Sequence, residues 1–153
     1  MDKELEHLWK YFEIHSNQRM SLINYYFFIS VAMLTGLGVI LQSTDKKFSI
    51  LGGFISILII LTSFIFWKLD QRTSYLIKFV EERMSEYEKS NIVNSKLRIF
   101  SKEDFSQQLN NIQKNIFTKN YTYGSMYRFL FSIMAISGLV GLILSVLKYC
   151  KIF

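Results

Sequence analysis

Residues 50–67 read ILGGFISILIILTSFIFW, without one Asp, Glu, Lys or Arg. An α-helix needs about 20 predominantly apolar residues to cross a hydrocarbon core of roughly 30 Å. Two further runs have the same character: residues 22–41, LINYYFFISVAMLTGLGVIL, and residues 129–147, FLFSIMAISGLVGLILSVL. Three such runs in 153 residues predict an all-α fold: three transmembrane helices, over 21–42, 50–67 and 127–147, with a small cytoplasmic helical bundle. The first run starts behind a mixed acidic and basic segment. A cleaved signal peptide has a basic start, a shorter apolar centre and small residues at its cleavage site, so this run reads as a permanent anchor.

The composition is 50% hydrophobic and 16% aromatic, with a mean hydropathy of +0.20. Outside the spans remain two pieces, residues 1–20 and 68–120. Segments this small seldom build an independent core, since domains below about 40 residues need outside help and those of about 60 are marginal. The expected organisation is therefore a single membrane domain with helical extensions. Proline is absent and glycines number seven, so continuous helices are expected, rather than the interrupted ones that expose backbone at transporter binding sites. The single Cys150 excludes an intramolecular disulfide and any site made of several cysteines.

Basic residues near membrane ends favour the cytoplasm. With the N-terminus inside, the inner flanks hold Lys3, Lys10, Arg19, Lys68, Arg72, Lys78, Arg83, Lys114, Lys119 and Arg128. The outer flanks hold only Lys46, Lys47, Lys148 and Lys151. This predicts a cytoplasmic N-terminus, an external C-terminus and a short outer loop over 42–49. Tyr25, Tyr26, Trp67 and Tyr127 fall at the inner ends of the spans, where amphipathic rings settle at the membrane interface.

Residues 1–20 carry Leu5, Leu8, Trp9 and Phe12 at helical spacing, opposite Glu4, Glu6, Lys10 and Glu13, an amphipathic pattern. Its prominent acidic residues favour packing against protein over adsorption to anionic lipid, for which Lys and Arg are the usual choice. Beyond Trp67 the second helix is expected to run on to Lys89. Thr73, Ile77, Val80, Met84 and Tyr87 alternate four and three residues apart there, the spacing of a coiled-coil seam. Asn91–Phe100 lacks a period and reads as a turn. Ser101 resembles an N-cap, and Phe105, Leu109, Ile112 and Ile116 repeat the seam spacing, which predicts a helical hairpin over 68–120.

Lipid gives apolar helices no hydrophobic reason to associate, so small residues and side-chain hydrogen bonds must hold them together. Ser137, Gly141 and Ser145 lie four residues apart; Ala32 with Gly36, and Gly52 with Ser56, do the same. These stripes serve packing within one chain or, on a sharper reading, a seam between subunits or a weakly polar pore wall. A proton-coupled carrier would place an ionisable group at membrane depth, and the three runs contain none.

Candidate chemistry is sparse. His7 and His15 are eight residues apart, too far along a helix to share one metal ion. His15 and Arg19 form an i, i+4 pair suited to an anion or to a local hydrogen bond. Asp70 and Arg72 flank the inner mouth of the second span, as a structural network or as a gate. Glu81, Glu82 and Glu86 read as a solvated helix face. There is no phosphate-binding loop, nucleophile set or zinc spacing, so no enzyme activity, catalytic residue, metal or cofactor is expected. The net charge of +6 is explained by basic residues hugging a membrane, without nucleic acid as a partner.

The run from His7 to His15 with Gln18-Arg19-Met20, the run from Ser63 to Arg72 and the stretch from Arg98 to Asp104 resemble a group of small multi-pass bacterial membrane proteins. Some of that group accompany anti-phage defence modules such as retrons and nucleotide-signalling systems. The chain departs from the group at Tyr123-Gly124-Ser125-Met126, near which the group carries a Cys. The resemblance implies a homo-oligomeric inner-membrane effector that permeabilises or depolarises the host membrane when infection is sensed. Under that reading Trp9, Phe12, His15, Arg19, Asp70 and Arg72 form the cytoplasmic coupling interface. Ala32, Gly36, Ser56, Ser137, Gly141 and Ser145 form the oligomer or pore face. The expected partners are the bilayer, further copies of the chain and a cytoplasmic protein or sensor. A non-catalytic scaffold tethering a soluble partner and a holin-like pore former are the competing readings.

Overall fold

A computed structural model of the chain describes residues 3–43, 45–92, 98–100 and 123–150. Among them are three helices, α1 (Lys3–Gln42), α2 (Lys46–Asn91) and α3 (Tyr123–Tyr149), and no strand. The amphipathic segment and the first apolar run are one uninterrupted helix, α1. The second apolar run and the Thr73–Tyr87 seam are likewise one helix, α2, which carries two residues past the expected Lys89. Without proline or a helix-stopping glycine at residues 20 and 68, nothing breaks the i→i−4 ladder there. The expected Ser101 cap and the helix carrying Phe105, Leu109, Ile112 and Ile116 lie outside the described residues.

Each of the three helices contains a window long and apolar enough to cross a membrane. Only 17%, 28% and 28% of these windows is buried, so most of their apolar surface faces outward.

The chain divides into two units. One, called here the apolar unit, comprises Ser21–Gln71 and Gly124–Phe153; the other, the polar unit, comprises Met1–Met20 and Arg72–Tyr123. In the apolar unit the three helices meet along seams of alternating three- and four-residue steps. The buried positions are Tyr26, Ser30, Leu37 and Ile40 on α1; Ser49, Gly52, Ser56, Ile59, Ser63 and Asp70 on α2; and Gly124, Phe131, Met134, Gly138, Gly141 and Ser145 on α3. This 3.5-residue period is that of knobs-into-holes packing. Contacts run from Tyr26 against Ser63 to Gly36 against Ile55, so α1 and α2 are antiparallel. Phe131 meets Tyr26 and Gly141 meets Leu37, so α3 runs parallel to α1.

The connection between α1 and α2 is shorter than the expected 42–49 loop. The chain leaves α1 at Gln42, and Asp45 caps α2, its Oδ1 accepting from Lys47 N–H at 3.0 Å. An Asp at this position satisfies one of the four orphan donors of a helix start. Hydropathy marks where Lys46 and Lys47 stop, not where the helix begins, which accounts for the difference.

In the polar unit, α2 buries Thr73, Ile77, Val80, Met84, Ser85 and Glu88 and exposes Arg72, Lys78, Glu82, Arg83, Glu86 and Lys89, together with Tyr75 and Phe79. Leu5, Leu8, Phe12, His15, Ser16 and Arg19 are the half-buried positions of α1 in this unit, and the Phe12 ring meets Phe100 edge-on at 6.0 Å between centroids.

Candidate functional site

Small side chains let the helices of the apolar unit approach closely. A Cβ built on Gly141 lies 2.6 Å from Leu37 Cδ2 and 2.7 Å from Ser56 Oγ. One on Gly138 meets the Ser56 carbonyl at 3.0 Å, and one on Gly52 meets Ser145 Oγ at 2.7 Å. These positions tolerate no side chain without a shift of their neighbours.

The seam is also rich in hydroxyls. Ser56 Oγ donates to the Gly52 carbonyl and Ser63 Oγ to the Ile59 carbonyl, both at 2.8 Å. With the Ser63 proton used in this way, the buried Tyr26 hydroxyl donates to Ser63 Oγ at 3.0 Å. The Tyr26 ring packs edge-on against Phe131 at 4.7 Å and tilted against Phe66 at 5.1 Å. Ser49 and Ser145 are 3% and 2% exposed, and among the described residues neither Oγ has a hydrogen-bond partner. Leaving a buried hydroxyl unpaired costs about 1–3 kcal/mol. Both side chains line an open groove of about 330 Å³ between α2 and α3, with Gly53 and Tyr149.

At one end of the seam, Lys148 reaches the C-terminus of α1. Its Nζ donates to the Leu41 carbonyl at 2.9 Å, the Ile40 carbonyl at 3.2 Å and the Ser43 carbonyl. The last turn of α1 has no basic residue of its own, and a cation there complements the helix dipole and its orphan carbonyls. In the polar unit Arg98 does the same for α2. Its Nε donates to the Ile92 carbonyl at 2.8 Å and its Nη2 to that of Lys89 at 3.4 Å, while Glu88 accepts from Ile99 N–H at 3.0 Å.

The residues expected to form a coupling interface are distributed as follows. Trp9 is exposed, with its ring 5.9 Å from Phe12. His15 Nδ1 donates to Gln18 Oε1 at 3.0 Å, and its ring stands edge-on to Tyr11 at 4.3 Å. Arg19 is half-buried, Asp70 buried and Arg72 exposed. Of the expected oligomer or pore face, Ser56, Gly141 and Ser145 are brought together inside the chain's own three-helix contact. Gly36 is half-buried, 3.9 Å from Ile55 by its built Cβ. Ala32 is exposed, and Ser137 is half-buried with its Oγ donating to the Met134 carbonyl. Gly138 takes the inward place next to Gly141, because the seam steps by three there.

Tyr26, Gly138, Lys148 and Arg98 were not singled out by sequence reasoning for the roles they fill. Tyr26 was expected at the interface beside Tyr25; the structure exposes Tyr25 and buries Tyr26, which falls on the same 3.5-residue series as Leu37 and Ile40.

No family model matches the chain, and no solved structure matches it. It is 40% identical over 138 residues to CD-NTase-associated protein 19 of Escherichia coli, an alignment covering 88% of this chain and 85% of that one. The chain belongs to the CD-NTase-associated protein 19 family. Membership of that family bears out the resemblance to small bacterial proteins that accompany anti-phage defence systems. The alignment spans most of both proteins, so the family likeness is not confined to one of the two units.

Proposed function

We propose that this member of the CD-NTase-associated protein 19 family is a homo-oligomeric membrane effector of anti-phage defence, which permeabilises or depolarises the inner membrane of its host. The observation that carries the reading is the inverted apolar unit. Beside Tyr26, Leu37, Ile40, Ile59, Phe131 and Met134, its interior holds Ser30, Ser49, Gly52, Ser56, Ser63, Gly138, Gly141 and Ser145, while Phe28, Phe54, Ile57, Leu61, Phe64, Phe129 and Val140 face outward. In water such an exterior is a large exposed apolar patch and an aggregation hazard. In lipid it is the ordinary solvent-facing surface, with small and hydroxylated residues left to join the helices. The name of the Escherichia coli relative ties it to a CD-NTase, and a nucleotide-signalling trigger acting through the polar unit is the corresponding input here. The chain lies with its N-terminus in the cytoplasm and its C-terminus outside, as the distribution of Lys and Arg favours. No catalytic step is assigned to it.

Induction in bacteria loaded with a potential-sensitive dye tests the proposal. Rapid depolarisation without release of a folded cytoplasmic enzyme is the expected result, and that size limit separates an effector from a holin-like pore former. Unchanged potential with the protein present in the membrane fraction overturns it. That outcome favours a scaffold holding a soluble partner, for which the exposed charged face of Glu82, Arg83, Glu86 and Lys89 offers a surface.

A further inference from the structure

Along α2, one position of the seven-residue repeat is occupied by Ser49, Ser56, Ser63 and Asp70, and then by Ile77 and Met84. All six are buried. The polar members of this series are confined to the apolar unit and the apolar members to the polar unit, the reverse of what a core built only for stability selects. At about 1.5 Å per residue, Ser49 to Asp70 spans about 32 Å, which matches a hydrocarbon core of roughly 30 Å. The ladder therefore runs the thickness of a bilayer on one edge of one helix, with a carboxylate at one end. Asp70 is 3% exposed.

The ladder is covered by the chain's own helices. Gly141 of α3 lies against Ser56, the Tyr26 hydroxyl of α1 bonds to Ser63, and Ser145 of α3 lies against Gly52. The cover leaves the hydroxyls of Ser49 and Ser145 unpaired, although both side chains line the groove between α2 and α3. Water or a hydrated ion reaching this edge would supply the missing hydrogen bonds. Hydroxyls elsewhere on the outer faces of the apolar unit do not form such a series. Thr35 and Ser132 bond to a carbonyl of their own helix, as Ser56 and Ser63 do, but both are exposed, among Val31, Val39, Phe129 and Ile136.

We infer that the Ser49–Ser56–Ser63–Asp70 edge of α2 is the wall of a cation-conducting path, held shut in this structure by α1 and α3, with Asp70 as its selectivity residue. The inference rests on the effector reading above and names the surface and the ion class through which that effector works. Opening turns this edge away from α1 and α3 and toward the same edge of α2 in neighbouring copies. A ring of hydroxyls repeated at each level then replaces part of the hydration shell of a small ion. A ring of Asp side chains at the mouth favours cations over anions, as acidic rings do in cation channels.

The test uses the full chain in planar bilayers, with Cys150→Ser as background because Cys150 is an exposed free thiol. Ser56→Cys and Ser63→Cys are compared with Ile57→Cys and Phe64→Cys, which sit one residue further along and face outward. A positively charged methanethiosulfonate reagent is expected to block current through the two seam variants and to leave the two outward variants unchanged. Asp70→Asn is expected to lower the potassium-over-chloride permeability ratio several-fold, and Asp70→Glu to preserve it. If the parent protein conducts but block occurs at Ile57→Cys or Phe64→Cys, or at none of the four, the ladder serves packing only; the inference falls while the effector reading stands. An unchanged permeability ratio in a conducting Asp70→Asn channel removes Asp70 from the selectivity role. A parent protein that carries no current overturns both.

Discussion

The apolar and polar units are built on the same seam, yet the first gathers hydroxyls into it and turns apolar residues outward, while the second turns charges outward. On α2 the buried positions of the seam run from Ser49 to Met84 in steps of three or four residues, with one step of seven from Ser63 to Asp70, and without a change of register. In the apolar unit that edge carries Ser49, Gly52, Ser56, Ile59, Ser63 and Asp70, and the outward faces carry Phe54, Ile57, Leu61 and Phe64. In the polar unit the edge carries Ile77, Val80 and Met84, and the outward faces carry Lys78, Glu82, Arg83 and Glu86. One helical geometry thus serves two surroundings. Period alone identifies which residues meet other helices, whereas the chemistry of the opposite face identifies the solvent.

The largest expected effect lies in the core of the apolar unit. Tyr26→Ala removes the buried ring that joins Phe66, Phe131 and Ser63, and is expected to cost about 3–5 kcal/mol, as large-to-small core substitutions do. A thermal melt in detergent checks this. A melt indistinguishable from the parent's would mean that the aromatic layer is not part of the stable core.

The next substitution separates the units. Ile57 and Tyr75 are both open to the surroundings, 47% and 69% exposed. Ile57→Lys is expected to oppose membrane insertion by about 2.5–3.5 kcal/mol, the cost of a lysine at the centre of a spanning helix, whereas Tyr75→Lys is expected to insert normally. The fraction recovered in washed membranes measures both. Equal recovery of the two variants would erase the distinction between the exteriors.

A smaller effect tests how tightly the apolar unit is closed. Gly141→Leu places atoms where Leu37 and Ser56 already lie, and overpacking of this kind costs about 1–3 kcal/mol. It is expected to lower the melting temperature and abolish toxicity with expression intact. Gly38→Leu is the control, since a Cβ at Gly38 meets nothing within 4 Å. Wild-type behaviour of Gly141→Leu would remove close packing at this level from the account. The smallest shift belongs to Lys148→Met, which uncaps α1 and is expected to cost about 1 kcal/mol. Faster amide exchange confined to the last turn of α1 is its signature, and unchanged exchange there would contradict the capping role.

Much of the helical plan was legible because its signals are local. Runs without charge expose themselves in any window, and the alternation of Thr73, Ile77, Val80, Met84 and Tyr87 needs no partner to be recognised. The caps were not legible for the opposite reason. Lys148 acts on carbonyls more than a hundred residues away in the chain, and in sequence it reads as another basic flank. Tyr26 carries the same side chain as Tyr25, and only the direction in which the helix turns each one decides which is buried. In α3, a four-residue ruler laid through Ser145 and Gly141 lands on Ser137. The helices pack with a mean step of 3.5 residues, so the inward place belongs to Gly138. The Ser49–Asp70 ladder was hidden as well, because small hydroxylated residues lower the apolar signal only slightly and their common edge emerges from the packing.

Compartment labelling with a membrane-impermeant thiol reagent tests most directly whether the chain threads the bilayer three times. On intact spheroplasts, native Cys150 is expected to react from outside, while Glu82→Cys in a Cys150→Ser background reacts only after lysis. Reaction of both thiols from the same side, or recovery of the protein in solution without detergent, would contradict it.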